Sequence, residues 1–298
     1  MKEGIENPTP FWDKMAKKLR SIYESTPYFK GKWQIFNLLG RFARWKGYRT
    51  EISFDLGEKI ILDIDDWIPY QIFLTGYYAI EYLHTSYFRK IVKEGMVFFD
   101  VGANIGYYTL QAAVRVGKGG KVYAFEPVSS TYKKLKENVE INSLTNVVLC
   151  PFVIYEKEGE MEIALGDKGN SGSAKIPFPD NSCDERKEKV RAITLDNFVE
   201  RNRINRVDLV KIDVEGCEYS VLKGMVKILS KLKPTILIEL TENTLKARGT
   251  SSFEVINFLK GYGYCPYKII RNGVKRIRRD FITGESLILF KQGDAKGV

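Results

Sequence analysis

Residues 97–106, Val-Phe-Phe-Asp-Val-Gly-Ala-Asn-Ile-Gly, decide the fold of this chain. Val97, Phe98, Phe99 and Val101 read as a buried strand. The strand ends in Asp100 and a tight Gly102-Ala103-Asn104 turn, and Gly106 opens a helix through Tyr107 to Val114. A strand feeding a glycine turn and a helix brings backbone N–H groups and a positive helix end up to a ligand. Twenty residues past Gly106, a second apolar strand, Lys121–Phe125, ends in Glu126-Pro127. An acidic residue at that point can accept hydrogen bonds from both ribose hydroxyls of a nucleoside.

A nicotinamide dinucleotide asks for G-x-G-x-x-G, and Gly102-Ala103-Asn104-Ile105-Gly106 lacks one of those glycines. The Asp100 carboxylate at the strand tip would also repel a pyrophosphate. A cationic, phosphate-free nucleoside fits better, and S-adenosylmethionine, with its sulfonium and amino groups, is one. The string Asp100-Val-Gly-Ala-Asn-Ile-Gly-Tyr-Tyr-Thr109, then Phe125-Glu126-Pro127, then Lys211-Ile-Asp-Val-Glu-Gly-Cys-Glu218, resembles the FkbM family of S-adenosylmethionine-dependent methyltransferases over about residues 75–265. The resemblance implies a doubly wound, Rossmann-like α/β domain of the class I methyltransferase type, whose seven-stranded sheet is completed by a terminal antiparallel strand. It places Asp100, Gly102 and Asn104 along the methionine part of the cofactor, in the turn that Gly106 closes, and gives Glu126 the ribose. Glu81 stands where the family commonly carries a glutamate ahead of the glycine motif, which makes it a further cofactor contact.

At 298 residues the chain has room for one large domain and an extension. No run of about 18 apolar residues exists to form a transmembrane helix. The first residues, Met-Lys-Glu-Gly-Ile-Glu-Asn-Pro, lack the apolar core of a signal peptide. Cys150, Cys183, Cys217 and Cys265 show neither zinc spacing nor a disulfide framework. A reducing cytoplasm is therefore the expected compartment. The net charge of +10 points to acidic partners or to a lysine-rich solvated surface.

Residues 1–75 read as an N-terminal helical and hairpin extension, and 76–298 as the methyltransferase domain. A helix over 9–25 is followed by another over 32–46, then by a hairpin of Thr50–Phe54 and Lys59–Ile64. Helical periodicity covers 76–93. From residue 97 the pattern alternates: strands at 97–101, 121–126, 146–153, 207–213 and 235–240, helices at 106–116, 130–142, 218–230 and 252–261. Short strands are expected at 160–166 and 189–193, with a Gly-, Ser- and Pro-rich loop between them. Within that loop, Gly169-Asn170-Ser171-Gly172-Ser173 resembles a family string over the site. The chain closes with antiparallel strands at 264–270, 274–277 and 286–290, the first two joined by an Asn272-Gly273 turn.

Ligands of such sheets bind beyond the carboxyl ends of the strands. There, strand alternation sends Lys211, Asp213 and Glu215 to one side. Clustered carboxylates need a cation, a donor or a proton to relieve them. Asp213 is the first candidate to face the reacting centre, as base or as hydrogen-bond acceptor, and Glu215 the second. The competing role for Asp213 is a helix cap. His84, the one histidine, is a third catalytic candidate by its place before the first strand. Asp213, Glu215, Glu239 and Glu242 are oxygen donors of the kind Mg²⁺ takes, but no spacing compels a metal and none is assigned. Family members often carry a histidine shortly after the glutamate at position 239, where this chain has Leu240-Thr241-Glu242.

The expected activity is transfer of a methyl group from S-adenosylmethionine to a hydroxyl of a carbohydrate, glycolipid or secondary metabolite. The N-terminal cations Lys14, Lys17, Lys18, Arg41, Arg44 and Lys46, near the aromatics Trp12, Trp33, Phe42 and Trp45, suit a peripheral membrane contact or a lipid-linked acceptor. Two rival readings are an RNA methyltransferase, on the strength of the charge, and a noncatalytic surface-binding protein with a vestigial pocket.

Overall fold

The computed structural model describes residues 10–27, 31–32, 34–36, 38, 48–78, 81–166, 174, 176, 186–278, 282 and 285–293. Of the side chains behind the expected membrane contact, Trp12, Trp33, Phe42, Trp45, Arg41, Arg44 and Lys46 lie outside the described ones, as does the string 169–173, while Lys14 and the pair Lys17 and Lys18 are exposed.

The described chain begins with helix α1 (Pro10–Ser25), then the hairpin β1 (Arg49–Ser53) and β2 (Lys59–Asp63). Helices α2 (Trp67–Thr75) and α3 (Tyr82–Ile91) lead into β3 (Val97–Val101), α4 (Tyr107–Val116), β4 (Lys121–Phe125), α5 (Ser129–Ile141) and β5 (Val147–Cys150). Then come β6 (Phe152–Ile154), β7 (Gly159–Ala164), β8 (Lys187–Ile193), α6 (Leu195–Arg201), β9 (Leu209–Ile212) and α7 (Glu218–Lys223). The rest is β10 (Thr235–Thr241), α8 (Glu242–Ala247), α9 (Ser252–Gly261), β11 (Tyr264–Ile270), β12 (Gly273–Arg276) and β13 (Glu285–Gln292).

The main sheet runs β12-β11-β13-β10-β9-β3-β4-β5. Strands β5, β4, β3, β9 and β10 are parallel, and β13 joins β10 antiparallel. The doubly wound α/β expectation holds, with eight strands where seven were expected. The added strand is β12, which folds back on β11 through a two-residue turn at Arg271-Asn272, so that Ile270 faces Gly273. The turn thus falls one residue earlier than the Asn-Gly pair predicts.

Parallel register puts alternate residues of neighbouring strands on the same face. Phe98, Leu209, Leu237 and Leu289 line one face and join a cluster with Phe88, Leu110 and the hairpin's Ile60 and Leu62. Phe99, Val210, Ile236, Ile238 and Phe290 line the other, under Val255, Ile256 and Leu259 of α9. The hairpin therefore shares its core with the strands that carry the motif. Asn138 of α5 ties the two together: its Oδ1 accepts from Ile61 N at 2.7 Å, and its Nδ2 donates to Ile105 O at 2.9 Å. Arg115 of α4 adds ion pairs to Asp55 at 2.8 Å and Glu58 at 3.2 Å.

Three local expectations are corrected. The helix expected over 76–93 covers only Tyr82–Ile91 and is preceded by a separate helix, α2, which Gly76 in the left-handed region (φ 79°) closes with its N–H on Ile72 O at 2.9 Å. Pro69 sits in the first turn of α2, where its missing N–H costs no intrahelical bond. The strand over 146–153 breaks at Pro151, which cannot donate to a ladder, into β5 of the main sheet and β6 of a second sheet, β6-β8-β7. The helix over 218–230 stops at Lys223, and a π-helical turn follows at Ile228–Leu232. Gly224 there approaches Tyr155 so closely that an added Cβ would lie 2.3 Å from Tyr155 O.

Replacing Asn138 with Ala leaves a strand N–H and a loop carbonyl without their partner. We expect a stability loss of about 3 kcal/mol, read as a lower urea midpoint at unchanged slope. A change under about 0.5 kcal/mol would mean that water replaces both bonds.

Candidate active site

The carboxyl ends of β3, β4, β9 and β10 surround a cavity of about 380 Å³, a volume in the range of small-molecule sites. Its wall includes Glu81, Gly102, Asn104, Glu126, Asp213, Glu215 and Glu239, together with apolar side chains such as Ile68, Phe152 and Ile176. Of the residues singled out from sequence, Asp100 and Gly106 lie just behind this wall, and His84 is outside the lining. His84 Nδ1 is buried without a hydrogen bond, and burial, with the Lys268 charge second, lowers the ring's pKa. The structure does not bring it to the carboxylates.

The glycine turn is held by its neighbours. Gly102 N and Ala103 N both donate to Phe125 O, at 3.1 and 3.0 Å. Gly102 has φ 82°, and a Cβ on it would lie 1.9 Å from Asp213 O. The loops after β3 and β9 thus touch through bare backbone, a fit that only glycine allows. Asn104 also adopts a left-handed conformation (φ 48°). The N-cap of α4 is Gly106. Asn104 N donates to Glu126 Oε2 at 3.0 Å, and Val128 N donates to Oε1 at 2.9 Å. Burial outweighs these donors and pushes the Glu126 pKa up to about 7.

Behind the turn, Asp100 is 1% exposed. Thr109 Oγ1 donates to its Oδ2 at 2.6 Å, while Oδ1 has no hydrogen-bond partner. Burial raises its pKa to about 6, against the pull of Lys211 and Thr109.

Lys211 stands at the centre. Asp100 of β3 pairs with it in parallel register, so both project from the same sheet face. Its Nζ donates to Asp213 Oδ2 at 2.8 Å and lies 4.8 Å from the centre of the Tyr108 ring. Burial alone would lower its pKa, but Asp213, Asp100 and Glu81 raise it, and the group stays an ammonium. Asp213 feels burial upward and Lys211 and Glu239 downward, with a net lowering. Its neighbour Glu239 is pushed up to about 12 by the Asp213 charge, then by burial and the hydrogen bond between the two. The two carboxyls thus favour sharing one proton, and the Lys211 ammonium bonded to Asp213 biases it towards Glu239.

Asp213 does not cap α7. Glu218 braces that loop instead, accepting from Val214 N at 3.2 Å and Gly216 N at 3.0 Å. Glu215 takes a left-handed conformation (φ 52°) that turns the chain along the cavity wall. Glu242 turns away, accepting from Ser252 N at 3.1 Å. Among the described residues, no group of three or more His, Cys, Asp or Glu is arranged to hold a metal ion. Cys217 reaches the cavity, but burial pushes its thiol up to about 11, so it is no nucleophile near neutral pH.

Several wall residues carry no motif. Ile68 comes from α2, and Tyr78 from the segment after it. Tyr107 and Tyr108 stay behind the wall and position it: Tyr107 Oη accepts from Tyr78 N at 3.1 Å, and Tyr108 Oη donates to Glu81 Oε2. Repeated aromatic side chains at the start of α4 were the available signal. Of their partners, Glu81 was legible through the family resemblance, whereas Tyr78 was not, because it lies in a segment without a recognisable string.

Residues 100–266, more than half of the chain, match the family model of the methyltransferase FkbM domain. Three curated relatives are each similar to about half of this chain. Hexuronic acid methyltransferase AglP of Haloferax volcanii is 28% identical over 145 residues, covering 49% of this chain and 56% of that protein. Methyltransferase 1 of Beauveria bassiana is 26% identical over 160 residues, covering 48% and 64%. Methyltransferase sdnD of Sordaria araneosa is 25% identical over 170 residues, covering 48% and 65%. The chain thus spans less than two thirds of each relative's length.

Replacing Lys211 with Met leaves Asp213, Asp100 and Glu81 without their buried cation. We expect a loss of about 3–5 kcal/mol at pH 8 and a smaller loss at pH 5.5. The sign follows from linkage: without the ammonium, the Asp100 pKa rises further above its unfolded value of about 4, and Asp213 loses the charge that holds its own pKa down. Stability then falls as pH climbs through the folded values. Urea unfolding at the two pH values reads it, and an equal loss at both would place the effect in packing.

Proposed function

The chain belongs to the FkbM methyltransferase family, and on that premise we propose that its cavity binds S-adenosylmethionine and directs the methyl group to a hydroxyl of a carbohydrate or secondary metabolite. One observation carries the cofactor reading: the cavity presents carboxyl groups from the ends of β4, β9 and β10 and from Glu81 at the start of α3, and Asp100 Oδ1 of β3 is buried behind it without a partner. Such a site is relieved by a cation, and the sulfonium and ammonium groups of this nucleoside supply two. When bound, S-adenosylmethionine offers a methyl carbon whose bond to sulfur breaks, with its electrons, as the bond to the acceptor oxygen forms.

The chain's residues do the rest. Glu126, fixed by two backbone donors, keeps lone pairs for the ribose hydroxyls. Asp100 and Asp213 face the cationic part. The bare Gly102 backbone keeps that part of the wall free of side chains. Asp213 also serves the acceptor. Its lowered pKa makes it a weak base but a strong hydrogen-bond acceptor, suited to orienting the attacking hydroxyl. Glu215 is the second carboxylate on the wall and the other candidate to take the departing proton. The acceptor class draws on the relative whose name specifies a hexuronic acid, a sugar derivative. No helix among the described residues is long and apolar enough to cross a membrane, and a surface contact through residues 1–47 remains part of the proposal for a lipid-linked acceptor. Anionic liposomes at low and high salt test that part, through salt-sensitive pelleting.

Calorimetry tests the cofactor assignment. Glu126→Ala is expected to weaken S-adenosylmethionine binding by about 1.5–3 kcal/mol. Unchanged affinity would remove the ribose role. Affinity should rise from pH 5.5 to pH 8 and level off above about 7. Asp100 and Glu126 hold protons at low pH because burial raises them to about 6 and about 7, and a cationic ligand favours their ionised forms. The demethylated thioether product, lacking the sulfonium charge, should show a shallower slope.

Asp213→Asn keeps the shape and loses the charge. Methyl transfer should slow by about tenfold or more, the scale of one charged hydrogen bond, with a smaller loss of cofactor affinity. Equal turnover would leave Asp213 a structural partner of Lys211.

A further inference from the structure

Every acidic or basic side chain among the described residues lining the cavity is a carboxylic acid: Glu81, Glu126, Asp213, Glu215 and Glu239. The +10 net charge of the chain is thus not expressed there. Lys211 lies behind the wall and is held by Asp213. Arg248, beside the wall, gives its guanidinium to Ile176 O and does not line the cavity.

The two ends of the cavity differ. Glu126 follows β4, and Glu239 lies on β10, three strands away across β3 and β9. At about 4.8 Å per strand that is about 14 Å. The ribose hydroxyls of the cofactor lie only a few bonds from its methyl group. With the ribose at Glu126, Glu239 stands at the acceptor end.

At that end Ile212 pairs with Ile238 in parallel register, which sets Asp213 beside Glu239 on one face. The two carboxyl groups share a hydrogen bond. Asp213 accepts, and the proton on Glu239 gives a donor. A hydroxyl is donor and acceptor at once and suits both. A carboxylate or phosphate brings only lone pairs and meets the Asp213 charge. Next to the wall residues Tyr78 and Glu81, the rings of Tyr77 and Tyr82 lie 4.8 Å apart, and Tyr82 is 53% exposed. They offer an aromatic surface to the C–H face of a ring.

We propose that the acceptor end of this cavity selects an uncharged polyhydroxyl compound, a neutral sugar, through the Asp213–Glu239 pair, and rejects sugars with a carboxylate or phosphate beside the reacting hydroxyl. This deepens the methyl-transfer reading and rests on it; only the carbohydrate class is taken from the relative named for a hexuronic acid, and the neutral acceptor departs from that name. Glu239 is the specificity-determining residue, and repulsion of the wrong acceptor does as much as attraction of the right one.

The test is methyl transfer by the full chain, with S-adenosylmethionine, to a panel of methyl glycosides. The gluco, galacto, manno and rhamno compounds are each offered neutral, and the hexosides also as uronates and 6-phosphates. Transfer to at least one neutral member, with kcat/KM tenfold or more above its charged counterparts, is expected. Glu239→Ala should raise the KM for that acceptor about tenfold while cofactor Kd stays within twofold. Glu239→Gln, which retains an N–H donor toward Asp213, should restore most of it. A merely structural role would move cofactor Kd along with KM and would not be rescued by Gln.

A uronate or phosphate that outperforms its neutral parent overturns the proposal. So does the absence of transfer to every neutral member, or an unchanged KM in Glu239→Ala. If Glu239→Ala fails to bind cofactor, Glu239→Gln decides: kept preference for the neutral sugar supports the proposal, and lost preference overturns it. A wild-type chain that does not bind S-adenosylmethionine removes the underlying reading and this inference together. Cofactor binding with the opposite acceptor preference removes this inference alone.

Discussion

The Lys211 ammonium is the constraint on which the site is built. It is 2% exposed, so water cannot solvate it. A buried charge survives only when paired and hydrogen-bonded. Asp213 supplies the direct bond, Asp100 and Glu81 the surrounding field, and the Tyr108 ring a cation–π contact. Once Asp213 is committed as the carboxylate of that pair, Glu239 beside it must hold a proton. The acid–base states of the cavity thus follow from one buried cation.

That arrangement needs the strand ends to arrive together. Parallel register between β3, β9 and β10 brings Asp100, Lys211, Asp213 and Glu239 to one sheet face, while the isoleucines and valines between them fill the other. The bare backbone of Gly102 lets the loops after β3 and β9 meet. The N-terminal hairpin covers the same face, and Asn138 links it to the carbonyl of Ile105 in the cofactor turn. Residues before the motif therefore contribute both core and cavity wall, through Ile60 and Leu62 in the first case and Ile68 in the second.

Much of the site was legible because its signals are local. The strand–glycine turn–helix unit at 97–116, Glu126 after the next strand and the acidic string at 211–218 each announce themselves by residue type and spacing. The structure places Gly102, Asn104, Glu126, Asp213, Glu215 and Glu81 on one cavity. Other features were illegible. Helix α2 is apolar nearly all round, so it offers no amphipathic period to read. The break at Pro151 shows only when the strand has a ladder to lose. His84 drew notice by its rarity, yet it does not line the cavity.

The sequence by itself determined the alternation of strands and helices, the family, and the residues of the glycine turn, because hydrophobic period, glycine and strand-end acids act over a few residues. Tertiary structure alone decided the eighth strand, the wall residues Ile68 and Tyr78, and the protonation of the Asp213–Glu239 pair. These depend on strand neighbours far apart in the chain and on burial. A carboxyl group's charge is set by what is packed around it, and no local pattern records that.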